Sequence, residues 1–157
     1  MDLDPRVERV RAAYEAVHQP LWRAVLAWSG SADVADEAVA EAFAQLLRRG
    51  DGVDDPAAWA WRSAFRIAAG DLQRRGAAAS AGAVPEVGVD LPEPALDLVA
   101  ALQRLSEQQR ACVVLCDLAG HPAPAAARLL GTTAATVRVQ RMRARRRLRE
   151  LLEDHDD

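Results

Sequence analysis

Eight arginines fall between Leu118 and Arg149, and no aspartate or glutamate lies among them. That segment carries +8, while the rest of the 157-residue chain holds 12 arginines against 23 acids, or −11; the two sum to the formal net charge of −3. Guanidinium groups bind phosphate by paired hydrogen bonds and can contact the guanine edge in the same bidentate way. A cationic segment joined to an acidic body therefore points to polyanion binding at one end and a different partner at the other. There is no lysine, so every basic contact is an arginine contact.

Other reactive residue types lead to less. Cys112 and Cys116 stand four apart with His121 beyond them. Zinc would need a fourth ligand, and no suitably spaced group is apparent, so no metal is expected. Buried apolar cysteines are the favoured reading, with a redox switch as the alternative. His18 and His155 have no catalytic companions, and no phosphate loop, activated nucleophile or carboxylate cluster is present. The expectation is a protein that is not an enzyme and uses no cofactor.

The basic segment has the order of a helix-turn-helix: a short helix from Ala123 to Leu130, Gly131 at a turn, Thr133 as N-cap, and a long helix to about Leu152. Val137, Ala144, Leu148 and Leu151 or Leu152 form its buried stripe. Arg138, Arg145 and Arg149 project away, with Arg143, Arg146 and Arg147 around them. Arg141 falls on the buried stripe, where it must snorkel or pair. Candidate DNA contacts are Thr133, Thr136, Arg138, Gln140, Arg143, Arg145 and Arg146. A merely solvated amphipathic face would alternate acids with these arginines, and none do.

The other elements are helical too. Val7, Val10, Tyr14, Val17, Leu21, Val25 and Trp28 mark one face, interrupted by Pro20, which predicts a kink or a new helix. Asp33 can cap a second helix that buries Ala35, Val39, Ala42, Phe43, Leu46 and Leu47, ending at Arg48-Arg49-Gly50. Asp55-Pro56 starts a third, running to about Arg75 and stopped by Gly76. On it Trp61, Phe65, Ala68 and Leu72 form a core stripe, while Trp59, Arg62, Arg66 and Gln73 form an aromatic-basic face that could hold unstacked bases. Arg74 and Arg75 join that candidate DNA face. A second block begins near Pro94 with Leu98, Leu102 and Leu105. Another helix starts at Ser106–Gln109 and buries Val113, Val114 and Leu118, and Gly120-His121-Pro122 breaks the chain. The expected architecture is all-α: a domain over 1–75, a linker rich in small residues over 76–93, and a helix-turn-helix domain over 94–157. Met1–Pro5 shows no secretory pattern and no apolar run spans a membrane, so a cytoplasmic location is expected.

Together these segments resemble the extracytoplasmic-function group of sigma-70 factors. Leu102-Gln-Arg-Leu105-Ser-Glu-Gln-Gln-Arg110, then Leu129-Leu130-Gly131, Thr136-Val137-Arg138 and Arg143 to Arg149 are similar to sigma region four. Ala35 to Phe43, Pro56-Ala-Ala-Trp59 and Asp71-x-x-Arg74-Arg75 are similar to region two. The resemblance implies two helical domains. Region two would dock on core RNA polymerase through Asp36, Glu37 and Glu41, and open the minus-ten element as a melted single strand. Region four would read the double-stranded minus-thirty-five element and contact the polymerase beta flap. An anti-sigma factor is an implied partner. The pattern departs from the family at Ala40, Pro122, Ala125, Val139, Gln140 and Arg141, which leaves promoter sequence open. Two alternatives stand beside this reading: a stand-alone dimeric helix-turn-helix regulator, and a degenerate sigma homologue that acts as an interaction protein.

Overall fold

Residues 2–78 and 87–156 are described in the computed structural model, and their regular secondary structure is helical. The chain divides into two compact units, Met1–Pro85 and Glu86–Asp157.

In the first unit α1 (Pro5–Ser29), α2 (Ala32–Arg49) and α3 (Pro56–Ala78) pack against one another. Asp4 caps α1 by accepting from the Arg6 amide at 2.9 Å, and Gly30 closes it at φ 72°. Helix α1 runs across Pro20 as one helix, so no new helix starts there. An internal proline costs about 3 kcal/mol. Just beyond it Leu21, Val25 and Trp28 are buried, each contributing about 1.5–3 kcal/mol, which outweighs that cost. Ser31, not Asp33, caps α2, its Oγ accepting from Val34 N at 3.3 Å. Asp33 instead sits in the first turn, where its charge favours the helix dipole.

Alanines at the contacts let the three axes approach closely: Ala35, Ala38, Ala42, Ala60, Ala64 and Ala68 are all fully buried. Three residues expected in this core are not there. Val7, Tyr14 and Leu47 are 39, 46 and 52% exposed. They line a groove between α1 and α2 rather than the interior. Asp55 caps α3 as expected, accepting from Ala58 N at 3.1 Å. The helix continues through Gly76 to Ala78, because a single exposed glycine costs only about 1 kcal/mol and does not itself break a helix. The expected linker thus begins inside α3; residues 79–86 lie outside the described residues.

The second unit holds α4 (Glu93–Gln103), α5 (Glu107–Val113) with a π-helical turn over Val114–Leu118, α6 (Ala123–Leu130) and α7 (Ala134–Asp156). Ser106 and Gln109 form a reciprocal capping box that starts α5. Leu102, Leu115, Val114 and Val137 are fully buried at the centre. Leu118 is not: it is 50% exposed at the end of the π-turn, contrary to the expected burial. The wider turn shifts the register, so a residue that continues the α-period of Val114 no longer faces inward. Helix α7 reaches Asp156, beyond Leu152. Leu151 supplies its last buried contact, and His155 Nε2 lies 3.3 Å from Asp97 on α4.

Candidate nucleic-acid and partner interfaces

Gly131 stands at φ 68° between α6 and α7, a left-handed conformation that suits glycine. Its amide bonds back to Ala127 O and closes α6. Thr133 then starts α7: its Oγ1 accepts from Thr136 N at 3.1 Å and donates to Thr136 Oγ1 at 2.9 Å. Val137 and Ala144, both fully buried, fix the rotation of α7, so the opposite face is turned outward. On it Arg138, Arg143 and Arg146 are exposed and, among the described residues, make no ion pair; Gln140 is half-buried.

Arg145 stands apart from that set. Its guanidinium pairs with Asp117 on the π-turn, Nε donating to Oδ2 at 3.1 Å with a second, shorter contact from Nη2 to Oδ1. Arg141 reaches the same carboxylate, Nε to Oδ2 at 3.1 Å and Nη2 to Oδ1 at 2.8 Å. The pairing expected for Arg141 thus has its partner. Burial alone would raise the Asp117 carboxyl, but hydrogen bonds from Arg141 and Arg145 outweigh it and hold the group below its ordinary value. Those bonds in turn raise Arg141. Sequence reasoning missed Asp117, whose only local mark is that it is the last acid before the arginine run.

In the first unit Arg62 and Arg66 lie one turn apart, exposed, on α3. Arg66 Nη2 lies 3.5 Å from Ser63 Oγ. Arg74 pairs with Asp71, and Arg75 Nη2 lies 3.5 Å from Glu37 Oε2 on α2. Trp59 is half-buried, with the Arg49 guanidinium 5.5 Å above its ring, a cation–π contact to α2. The three acids expected on the docking helix, Asp36, Glu37 and Glu41, are all exposed. Asp36 Oδ1 accepts from Trp22 Nε1 at 2.7 Å. Glu41 accepts from Gln45 at 3.1 Å and Arg48 at 3.0 Å, bonds that lower its carboxyl in that order.

Beside these acids runs a groove of about 930 Å³ between α1 and α2, lined by Val7, Tyr14, Trp22, Val39, Phe43 and Leu47 among others. Tyr14 stacks on His18 at 4.3 Å and meets Phe43 edge-on at 5.1 Å. A smaller hollow of about 480 Å³ in the second unit is walled by Leu98, Leu102, Val113, Leu118 and Leu148, with Asp117, Arg145 and Arg149 at its rim. The helical period predicted these apolar residues but not that some would stay open. No group of three His, Cys, Asp or Glu able to hold a metal occurs among the described residues. None of the described helices is long and apolar enough to cross a membrane.

Two all-helical units, one ending in a helix-turn-helix, define the class. The family described as "Sigma-70, region 4" matches residues 95–148, which span α4 to most of α7. The sigma factor RpoE of Bartonella quintana, solved with the anti-sigma factor NepR, has the same fold. It has a TM-score of 0.73 and 22% identity over 91% of this chain and 96% of that one. The extracytoplasmic-function sigma factor SigJ of Mycobacterium tuberculosis is similar at 29% identity and a TM-score of 0.65. That match covers 87% of this chain and 52% of SigJ, so the chain spans about half of SigJ's length. No curated protein matches. Residues 95–148 thus match sigma-70 region 4, and the chain as a whole shares the fold of the sigma factors RpoE and SigJ.

Proposed function

We propose that this chain is a sigma factor of transcription initiation that recruits core RNA polymerase to promoters through three surfaces. Helix α2 with Asp36, Glu37 and Glu41, together with the neighbouring apolar groove, docks on polymerase, where acidic groups suit an arginine-bearing partner. Helix α3 with Arg62, Arg66, Arg74 and Arg75 holds the melted strand, by charge and by stacking of unpaired bases. Helix α7 with Thr133, Thr136, Arg138, Gln140, Arg143 and Arg146 lies in the major groove of the upstream element. Arg145 joins that set only if DNA phosphate displaces Asp117. The observation that carries this reading is a trio of exposed guanidiniums, without ion pairs among the described residues, on the outward face of the second helix of a helix-turn-helix.

On this reading the protein works in the cytoplasm and carries out no catalysis of its own; polymerase supplies the chemistry. The hollow around Leu118 is suited to a polymerase flap element. An anti-sigma factor is the third partner, supported by the anti-sigma complex of the fold's relative RpoE. Outside Leu118–Arg149 the chain carries −11, which repels phosphate, so the free chain binds promoters poorly and polymerase unmasks the affinity.

Reconstitution with core polymerase, followed by mapping of transcript starts, tests the proposal. Starts clustered downstream of one shared sequence are expected. Absence of any promoter-dependent product would overturn the reading in favour of an interaction protein. Tight palindromic binding by a dimer of the free chain would favour a stand-alone regulator.

A further inference from the structure

The outward edge of α7 is not uniformly basic. Val137, Ala144, Leu148 and Leu151 are its buried stripe. At 3.6 residues per turn, Ala135, Val139, Met142 and Arg146 fall on the meridian opposite them. Arg138 and Arg149 flank that meridian on one side, Thr136 and Arg143 on the other. Val139 is 40% exposed and Met142 56%. A shallow hollow of about 280 Å³ opens here, walled by Ala135, Thr136, Val139 and Gln140. Two apolar side chains at the centre of a carboxylate-free cationic face stabilise nothing in the free protein. They fit a polyanion that itself presents apolar spots. Duplex DNA does so in its major groove, at the C5-methyl of thymine.

We propose that Val139, with Ala135 and Met142 along the same edge, reads thymine methyl groups in the upstream promoter element. The flanking Arg138 and Arg143 hold phosphates on either side. Specificity then comes from the apolar centre of the helix and affinity from its charged margins. The inference rests on the assignment of α7 to the major groove made above. Val139 lies less than two turns in from the Thr133 cap, in the part of a recognition helix that approaches base edges.

The test uses the full chain with core polymerase to select bound duplexes from a random library. Each thymine of the selected upstream element is then replaced by deoxyuridine, which removes the methyl and keeps the pairing. Loss of one buried methyl lowers affinity roughly fourfold, and that loss is expected at one or two positions. With Val139→Ala the thymine preference at the affected position falls to near unity. With Arg138→Ala binding weakens at every sequence while the preference survives. Val139 is exposed, so its truncation leaves the fold intact, and unchanged helical content checks this. If the selected element contains no thymine whose methyl matters, the inference is overturned while the sigma-factor reading stands. Persistence of the preference in Val139→Ala also overturns it. If polymerase with this chain selects no sequence at all, the underlying reading fails and this inference with it.

Discussion

Arg141 and Asp117 meet side by side, Nε donating to Oδ2 at 3.1 Å and Nη2 to Oδ1 at 2.8 Å, with Arg145 on the same carboxylate. One acid on the π-turn therefore holds two guanidiniums of α7. The Asp117 and Arg141 side chains are only 23 and 32% exposed, so the pair is better shielded than an ordinary surface bridge. Asp117→Asn should lower the stability of the second unit by about 1 kcal/mol. For a unit of this size that is roughly 4–8 °C in its thermal midpoint. The same change releases Arg145 toward DNA, so the salt dependence of promoter binding should steepen by about 0.9. Calorimetry and binding titrations across salt check the two effects, which run in opposite senses.

Acid should erase that contribution. The Asp117 carboxyl is held below its ordinary value of 3.8, burial notwithstanding, by the bonds from Arg141 and Arg145. A carboxyl lowered by folding adds stability that is fully present above the unfolded value. It is lost as pH falls through the folded one. The stability difference between the wild type and Asp117→Asn should therefore be constant well above pH 3.8 and shrink as pH falls below it. A difference that grows on acidification would show that the carboxylate is not favoured by folding.

Much of this arrangement is legible in the sequence where the cause is local. Gly131, the Thr133 cap and the Ser106–Gln109 box act within four residues of themselves, and each is where its spacing puts it. The alternation that buries Val137, Ala144 and Leu148 is equally local. What the sequence leaves open depends on packing. Period alone cannot separate a core leucine from one left at the lip of a groove, so Leu46 is buried while Leu47 and Leu118 stay open. The π-turn that displaces Leu118 also aims Asp117 at Arg141, and no propensity announces it. Arginine content drew attention to the charged margins of α7 and away from Val139 and Met142 between them.

The cysteines give a chemical check on the second core. Cys112 is fully buried, and burial pushes its thiol from 9.0 up to about 11; Cys116, also buried, is raised for the same reason. At pH 8 the thiolate fraction of Cys112 should be roughly 100-fold below that of a free thiol. Native protein should therefore resist thiol-specific reagents, with both residues labelling after unfolding. Rapid labelling of the native chain would show an open core and revive a redox role.

Glu37 separates function from stability. Its pair with Arg75 spans 3.5 Å between side chains that are 62 and 46% exposed, a geometry that contributes little. Glu37→Gln should leave the thermal midpoint unchanged within error. Its affinity for core polymerase should fall several-fold at low salt and converge with wild type at high salt. Equal affinity at every ionic strength would remove Glu37 from the docking surface.

Arg138 and Arg143 flank the apolar edge of α7 and carry no internal ion pair among the described residues, so each is free to release a counterion on meeting phosphate. Both are exposed on a helix held by Val137, Ala144 and Leu148, and alanine is the better helix former. The double substitution Arg138→Ala with Arg143→Ala should therefore leave helical content and thermal midpoint intact. The slope of log affinity against log salt should flatten by about 1.8, near 0.9 for each phosphate that no longer meets a guanidinium. Because phosphates carry no sequence, the preferred promoter should stay the same as affinity falls. A slope equal to wild type would take both residues out of the interface. A changed sequence preference would make one of them a reader of base edges.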